Sequence, residues 1–205
     1  MLEVVRPKTS AAAATGGFDV EILSVATVNP SFQLSQTEAT RRAKEIFPHL
    51  EALWSLYANT GIELRYNCQP VEWYLKPHSW EERTAIFQQH ALDLLADVTL
   101  KATAAAGIDL AEIDILITNT ITGLAIPSLD AKLFNRLKFA PTVERLPIFG
   151  LGCGGGVAGV LLRNTADGTS FGPRILAIGE WCWPQTEHIM GWDIKDDGFG
   201  VVLSP

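Results

Sequence analysis

An α/β layer fold is predicted for this chain on three observations. Short β-branched or apolar runs alternate with helical segments along its length. Two of the helices open on capping boxes. One strand candidate, Ile113–Thr118, is a near-continuous apolar run of the kind that fills a buried parallel sheet.

Taken in order, Phe18–Val28 reads as a strand, rich in β-branched residues and stopped by Asn29-Pro30. Ser35-Gln-Thr-Glu38 is a capping box opening a helix that halts at Pro48. Leu50–Ala58 is a shorter helical patch, and Tyr66–His78 an irregular stretch rich in Pro and aromatics. Ser79-Trp-Glu-Glu82 is the second box; it opens the longest helix, Trp80–Ala106, which Gly107 closes. Little of that helix is polar, so most of its circumference is expected to be buried.

Beyond Ile113–Thr118, Ser128 caps a helix over Leu129–Leu137. Arg145–Gly150 is a further buried strand, leading through Gly152-Cys-Gly-Gly-Gly156 into a helix of small residues. Gly172–Trp183 and Gly198–Ser204 are the last strands, and Asp196-Asp197 before Gly198 reads as a turn rather than a metal site. No repeat or low-complexity linker divides the chain.

Composition narrows the function classes. The 205 residues are 47% apolar, enough for a sizeable core. The formal charge of −7 argues against nucleic acid as a partner, since no basic cluster exceeds Arg41-Arg42. Cys68, Cys153 and Cys182 lack paired spacing, which disfavours a disulfide framework or a zinc module and fits a reducing cytoplasm. Met1 to Gly17 is read as a mobile lead, not a signal peptide. The uncharged run Leu146–Leu162 holds six glycines and Pro147 and is too short to span a bilayer, so no membrane segment is predicted.

The segment Phe149-Gly-Leu-Gly-Cys-Gly-Gly-Gly-Val-Ala-Gly159 carries the strongest chemical signal. A strand ending in a glycine turn would place Cys153 at the first turn of a helix, where unpaired N–H groups favour a thiolate and can hold an oxyanion. Two other readings fit the same residues. Cys153 suits a small buried core position. Gly150-x-Gly152-x-x-Gly155 also matches a dinucleotide fingerprint, with Asp167 as its acidic residue on no visible second strand.

The same segment closely resembles the active-site region of the type III polyketide synthases, the chalcone and stilbene synthase family, in its bacterial branch. Three further segments resemble that family in the same order. They are Ala58-Asn-Thr-Gly-Ile-Glu-Leu-Arg-Tyr66, Thr120-Ile-Thr-Gly-Leu-Ala-Ile-Pro-Ser-Leu-Asp130, and the run from His188 through Met-Gly-Trp-Asp193 to Ser204. The resemblance implies a thiolase-like fold (layered α/β/α/β/α) and a homodimer. It implies Cys153 as the nucleophile that takes an acyl starter from coenzyme A. Malonyl-CoA is then decarboxylated and condensed onto the starter, with CoA thioesters as substrates and no bound cofactor or metal. Thr122 and Ile126 fall where family members line the pocket, Ile126 reaching towards the partner subunit, and Val201 falls near the pocket entrance.

The resemblance also implies gaps. The family's His, in a His-Pro-Gly-Gly-Pro segment, and its Asn lie beyond the end of this sequence, and none of His49, His78, His90 and His188 has that context. About ten residues after Val160 stand where a strand, a helix and a strand are expected. The organisation is therefore read as a lead (1–17), an N-terminal thiolase-like half with the nucleophile (18–163), and a junction with strands resembling a later part of the fold (164–205). Three functions follow as expectations: an acyltransferase of this family, a dimerising or acyl-accepting remnant unable to condense malonyl units, or another thiolase-fold ketoacyl synthase. Ala52, Ser55 and Asn59 occupy the family's usual positions for binding coenzyme A phosphates, leaving Arg41, Arg42 and Arg65 as basic candidates.

Overall fold

The computed structural model describes residues 20–48, 54–55, 59–151, 159–164, 172–175, 190–196 and 198–203, and structural statements below refer to these. Strand β1 (Val20–Ala26) is the middle of a three-stranded sheet, flanked by β6 (Gly159–Asn164) and β7 (Arg174–Ile175), both antiparallel to it. Strands β2 (Phe32–Ser35) and β3 (Leu64–Asn67) pair antiparallel, with Leu34 opposite Arg65. Strands β4 (Ile115–Thr120) and β5 (Glu144–Phe149) pair in parallel, and β8 (Met190–Lys195) and β9 (Gly198–Leu203) form an antiparallel hairpin.

Helix α1 (Gln36–Ile46) begins where the first capping box puts it, the Ser35 hydroxyl accepting from the Glu38 N–H at 3.2 Å. The Glu38 side chain does not close the box; it takes hydrogen bonds from Arg41 and Arg42. The short α2 (Val71–Tyr74) interrupts the stretch expected to be irregular. The long helix α3 (Trp80–Ala106) has the expected ends: Ser79 accepts from the Glu82 N–H, and Gly107 closes it at φ +68°, a conformation glycine adopts without strain. Helix α4 (Leu129–Arg136) joins β4 to β5, the crossover a parallel pair requires.

Helix α3 organises the chain. Its C-terminal half lies on β1, where Ser24 donates to the Ala102 carbonyl at 2.9 Å and Lys101 to the Thr27 carbonyl at 2.8 Å. Its middle meets α4 around Ala96, Leu133, Phe139 and Val143, with Leu92, Leu95 and Leu116 packed against them. The helix is less covered than its composition predicts. Ala96, Ala102 and Thr103 are its buried residues, while Leu100 is 46% exposed. The physical reason is that β1 and α4 occupy two of its sides and the described residues leave the others open.

The tail of the glycine segment also departs from expectation. The small-residue helix expected after Cys153 is replaced, from Gly159 to Asn164, by β6. Val160 favours a strand and Leu161 and Leu162 continue its apolar run, while the free edge of β1 supplies a ladder, with Val25 opposite Val160 and Ile22 opposite Leu162. Glu21, buried on β1, accepts from Arg163 of β6 and from the Gly172 N–H, both at 2.7 Å. Residues on either side of position 164 are thus held by the same N-terminal strand. Of the predicted helix Leu50–Ala58, Trp54 and Ser55 are helical and much of the rest lies outside the described residues, as does Gly172–Trp183 beyond Ile175.

Candidate active site

Because β4 and β5 run in parallel, their carboxyl ends open on one edge, the place where ligands of open α/β sheets characteristically bind. Two segments emerge there. Loop 121–128 leaves β4 and leads into α4. Gly150 and Leu151 leave β5, and the Gly150 N–H still donates to the Thr120 carbonyl at 3.2 Å. Gly150 turns the chain at φ +89°, a backbone conformation that suits glycine. Cys153 stands two residues past Leu151 and lies outside the described residues.

Loop 121–128 carries Thr122 and Ile126, both exposed; Ile126 is 98% exposed. An isoleucine so placed gains nothing from burial within the chain. The loop is held from α3, where the Gln88 side-chain amide donates to the Leu124 carbonyl at 3.0 Å and accepts from Lys132 of α4. Gly123 is buried against the Phe87 ring, which fills the place of a β-carbon. Gln88, Phe87 and Gly123 were not among the residues singled out from the sequence; a lone Gly between Thr and Leu gives no local sign of a ring 36 residues earlier. Val201, the third expected pocket residue, lies on β9 opposite Trp192, in a hairpin separate from the β4–β5 pair.

Below the loop, Asp130 is fully buried at the start of α4 and pairs with Arg145 of β5 at 2.8 Å, tying helix to strand. A carboxylate in the first turn also complements the helix dipole.

The remaining candidates are committed elsewhere. Arg41 and Arg42 form ion pairs with Glu38 and Glu45 at 2.5–3.2 Å, a solvated helix face rather than a phosphate clamp. Arg65 donates to the Gln36 side chain at 2.7 Å beside an open recess of about 450 Å³ that Asn29, Tyr66 and Asn67 help to line. His78 stacks on Trp73 at 3.8 Å and contacts both the Glu82 carboxylate and the Trp73 carbonyl. His90 contacts the Gln69 amide at 3.1 Å. Burial pushes the Cys68 thiol pKa up, the opposite of what a thiolate nucleophile requires. Asp196 sits in the β8–β9 turn, where Lys195 pairs with Gly198, and no metal-holding cluster occurs among the described residues. No helix among them is long and apolar enough to cross a membrane.

Comparison with known proteins gives one answer. Residues 57–182 match the family model of the N-terminal domain of chalcone and stilbene synthases. A putative chalcone synthase of Bacillus subtilis is 27% identical, the match covering 89% of this chain and 68% of that protein. A 1,3,6,8-tetrahydroxynaphthalene synthase of Streptomyces peucetius subsp. caesius is also 27% identical, covering 89% of this chain and 63% of that protein. The crystal structure of the Streptomyces coelicolor 1,3,6,8-tetrahydroxynaphthalene synthase superposes with a TM-score of 0.77 at 22% identity, covering 90% of this chain and 67% of that one.

The chain thus spans about two thirds of the length of these relatives. The Bacillus alignment runs over 255 positions but takes up 89% of a 205-residue chain, so roughly 70 of its positions have no counterpart here. Unmatched positions on that scale are what an internal gap produces. Ordered motifs, a thiolase-like α/β fold and a family model matching more than half of the sequence agree: this chain belongs to the chalcone and stilbene synthase family, the type III polyketide synthases.

Proposed function

We propose that the chain is an acyl-transfer unit in which Cys153 is the nucleophile. The Cys153 thiolate attacks the carbonyl carbon of an acyl-CoA; a new C–S bond forms, the C–S bond to coenzyme A breaks, and the CoA thiolate leaves and takes up a proton. Thioester for thioester is a near-balanced exchange, which suits a cysteine nucleophile. In the whole enzyme malonyl-CoA loses CO₂ and its carbanion attacks the acyl-Cys carbonyl; a C–C bond forms, the C–S bond to Cys153 breaks and frees the thiolate, and the extended chain remains on coenzyme A. CoA thioesters are the substrates, no resident cofactor or metal takes part, and two copies form the working dimer. A reducing cytoplasm, which keeps thiols free, is the setting this chemistry needs.

The observation that carries this reading is the shared edge of β4 and β5. Gly150 and Leu151, which lead in sequence to Cys153, leave β5 at the edge where loop 121–128 leaves β4, and the Gly150 N–H donates to the Thr120 carbonyl. A second reading, an acyl-accepting module that does not condense malonyl units, is favoured by the internal gap and by the engagement of His78 and His90 with Glu82, Trp73 and Gln69.

One experiment separates the two. The chain is incubated with a starter acyl-CoA, with and without malonyl-CoA, while adducts are followed by intact mass and products by chromatography. Acylation of Cys153 without released polyketide supports the module; robust polyketide release supports the full synthase.

A further inference from the structure

Ile126 stands at 98% exposure, so burial of its side chain does not fix loop 121–128; the loop's position must be set by its other tethers. Two come from adjacent residues of α3. The Gln88 amide uses both of its functions, donating through Nε2 to the Leu124 carbonyl and accepting through Oε1 from Lys132. The Phe87 ring occupies the volume that any side chain at position 123 would need, so the loop backbone can lie this close to α3 only with glycine there.

We propose that Phe87 and Gln88 are positioning residues that seat loop 121–128 on α3 and thereby set which acyl chains the site accepts. The proposal rests on the reading that Cys153 is acylated beside this loop. Arg136 of α4 also pairs with Asp93 of α3 at 2.5 Å, so the helix following the loop is anchored to the same support. A shift of α3 relative to α4 therefore moves the loop, and with it Thr122 and Ile126.

The test uses the full chain and two readouts. Amide hydrogen exchange reports the loop directly, and intact-mass acylation with acyl-CoAs from acetyl to dodecanoyl reports chain-length preference. Gln88→Glu keeps the acceptor for Lys132 and loses the donation to Leu124; Gly123→Ala forces a β-carbon into the Phe87 ring, and Phe87→Ala, which removes the ring together with its Cγ, makes room for it.

Exchange across 121–128 is expected to rise about tenfold in Gln88→Glu and in Gly123→Ala, with β4 and β5 unchanged. The Gly123→Ala/Phe87→Ala double variant is expected to return part of that protection. The ratio of dodecanoyl to acetyl acylation is expected to change in step, by about threefold or more. Unchanged loop exchange in Gln88→Glu, which leaves the core intact, would overturn the positioning role. Altered exchange with an unchanged acyl ratio would overturn the link to specificity. Absence of acylation in the unmodified chain overturns the acyl-transfer reading instead, while the exchange data still decide what holds the loop.

Discussion

Arg145 of β5 donates to Oδ2 of Asp130 at 2.8 Å, and the carboxylate it reaches is fully buried at the start of α4. The other oxygen, Oδ1, has no hydrogen-bond partner among the described residues, so Arg145 is the main compensation for this buried charge. Removing one partner of such a pair strands the other. Arg145→Met is expected to cost about 2–3 kcal/mol, less than a fully buried pair because Arg145 is itself 40% exposed. Urea denaturation checks this, and Arg145→Lys is expected to recover part of the loss.

Acid sensitivity is expected from two exposed carboxylates on helices. Hydrogen bonds from Arg41 and then Arg42 hold the Glu38 carboxyl down to about 2, and the His78 hydrogen bond lowers that of Glu82. A depressed carboxylate contributes stability that is present above its ordinary value of 4.5 and is lost as pH falls through the folded value. Unfolding followed by circular dichroism between pH 4.5 and 2 is expected to show this loss, and Glu38→Gln to flatten it. An unchanged acid profile in that variant would contradict the assignment.

Gly150 and Gly107 both hold positive φ in open space, but they differ in place. Each change to Ala is expected to cost about 1 kcal/mol through the left-handed backbone. Only Gly150→Ala, at the turn leading to Cys153, is expected to slow acylation as well. Equal acylation rates in the two variants would show that the Gly150 turn does not matter to the chemistry.

An apolar sheet face is left uncovered by the described residues. Ile115 and Ile117 of β4 and Leu146 of β5 are 51–58% exposed, where a monomer normally scatters such residues singly. Self-association at micromolar concentration is expected, and Ile117→Lys is expected to weaken it. A sharp monomeric boundary in sedimentation velocity for the unmodified chain would contradict this.

Signals that act within a few residues are legible in the sequence. Ser79 and Gly107 marked the ends of α3, because a cap and a positive-φ glycine act within one turn of the helix. The run at Ile113–Thr118 located β4 to within two residues. Long-range pairing was not legible. The small residues at 155–159 carry no strand signal, and pairing with the free edge of β1 makes Gly159–Asn164 a strand. The hairpin partner of β9 was likewise seen only through family resemblance. Thr122 and Ile126 could be named as pocket candidates from a motif, but the Phe87 contact with Gly123 and the Gln88 hydrogen bond to Leu124 are encoded in no spacing.

The central claim is that Cys153 accepts an acyl group from coenzyme A. Intact mass spectrometry after incubation with acetyl-CoA and longer acyl-CoAs, followed by peptide mapping, tests it most directly. The account predicts a single adduct of one acyl mass on the peptide containing Cys153, removable by hydroxylamine and absent in Cys153→Ser. No adduct, or an adduct that persists in Cys153→Ser, would contradict it.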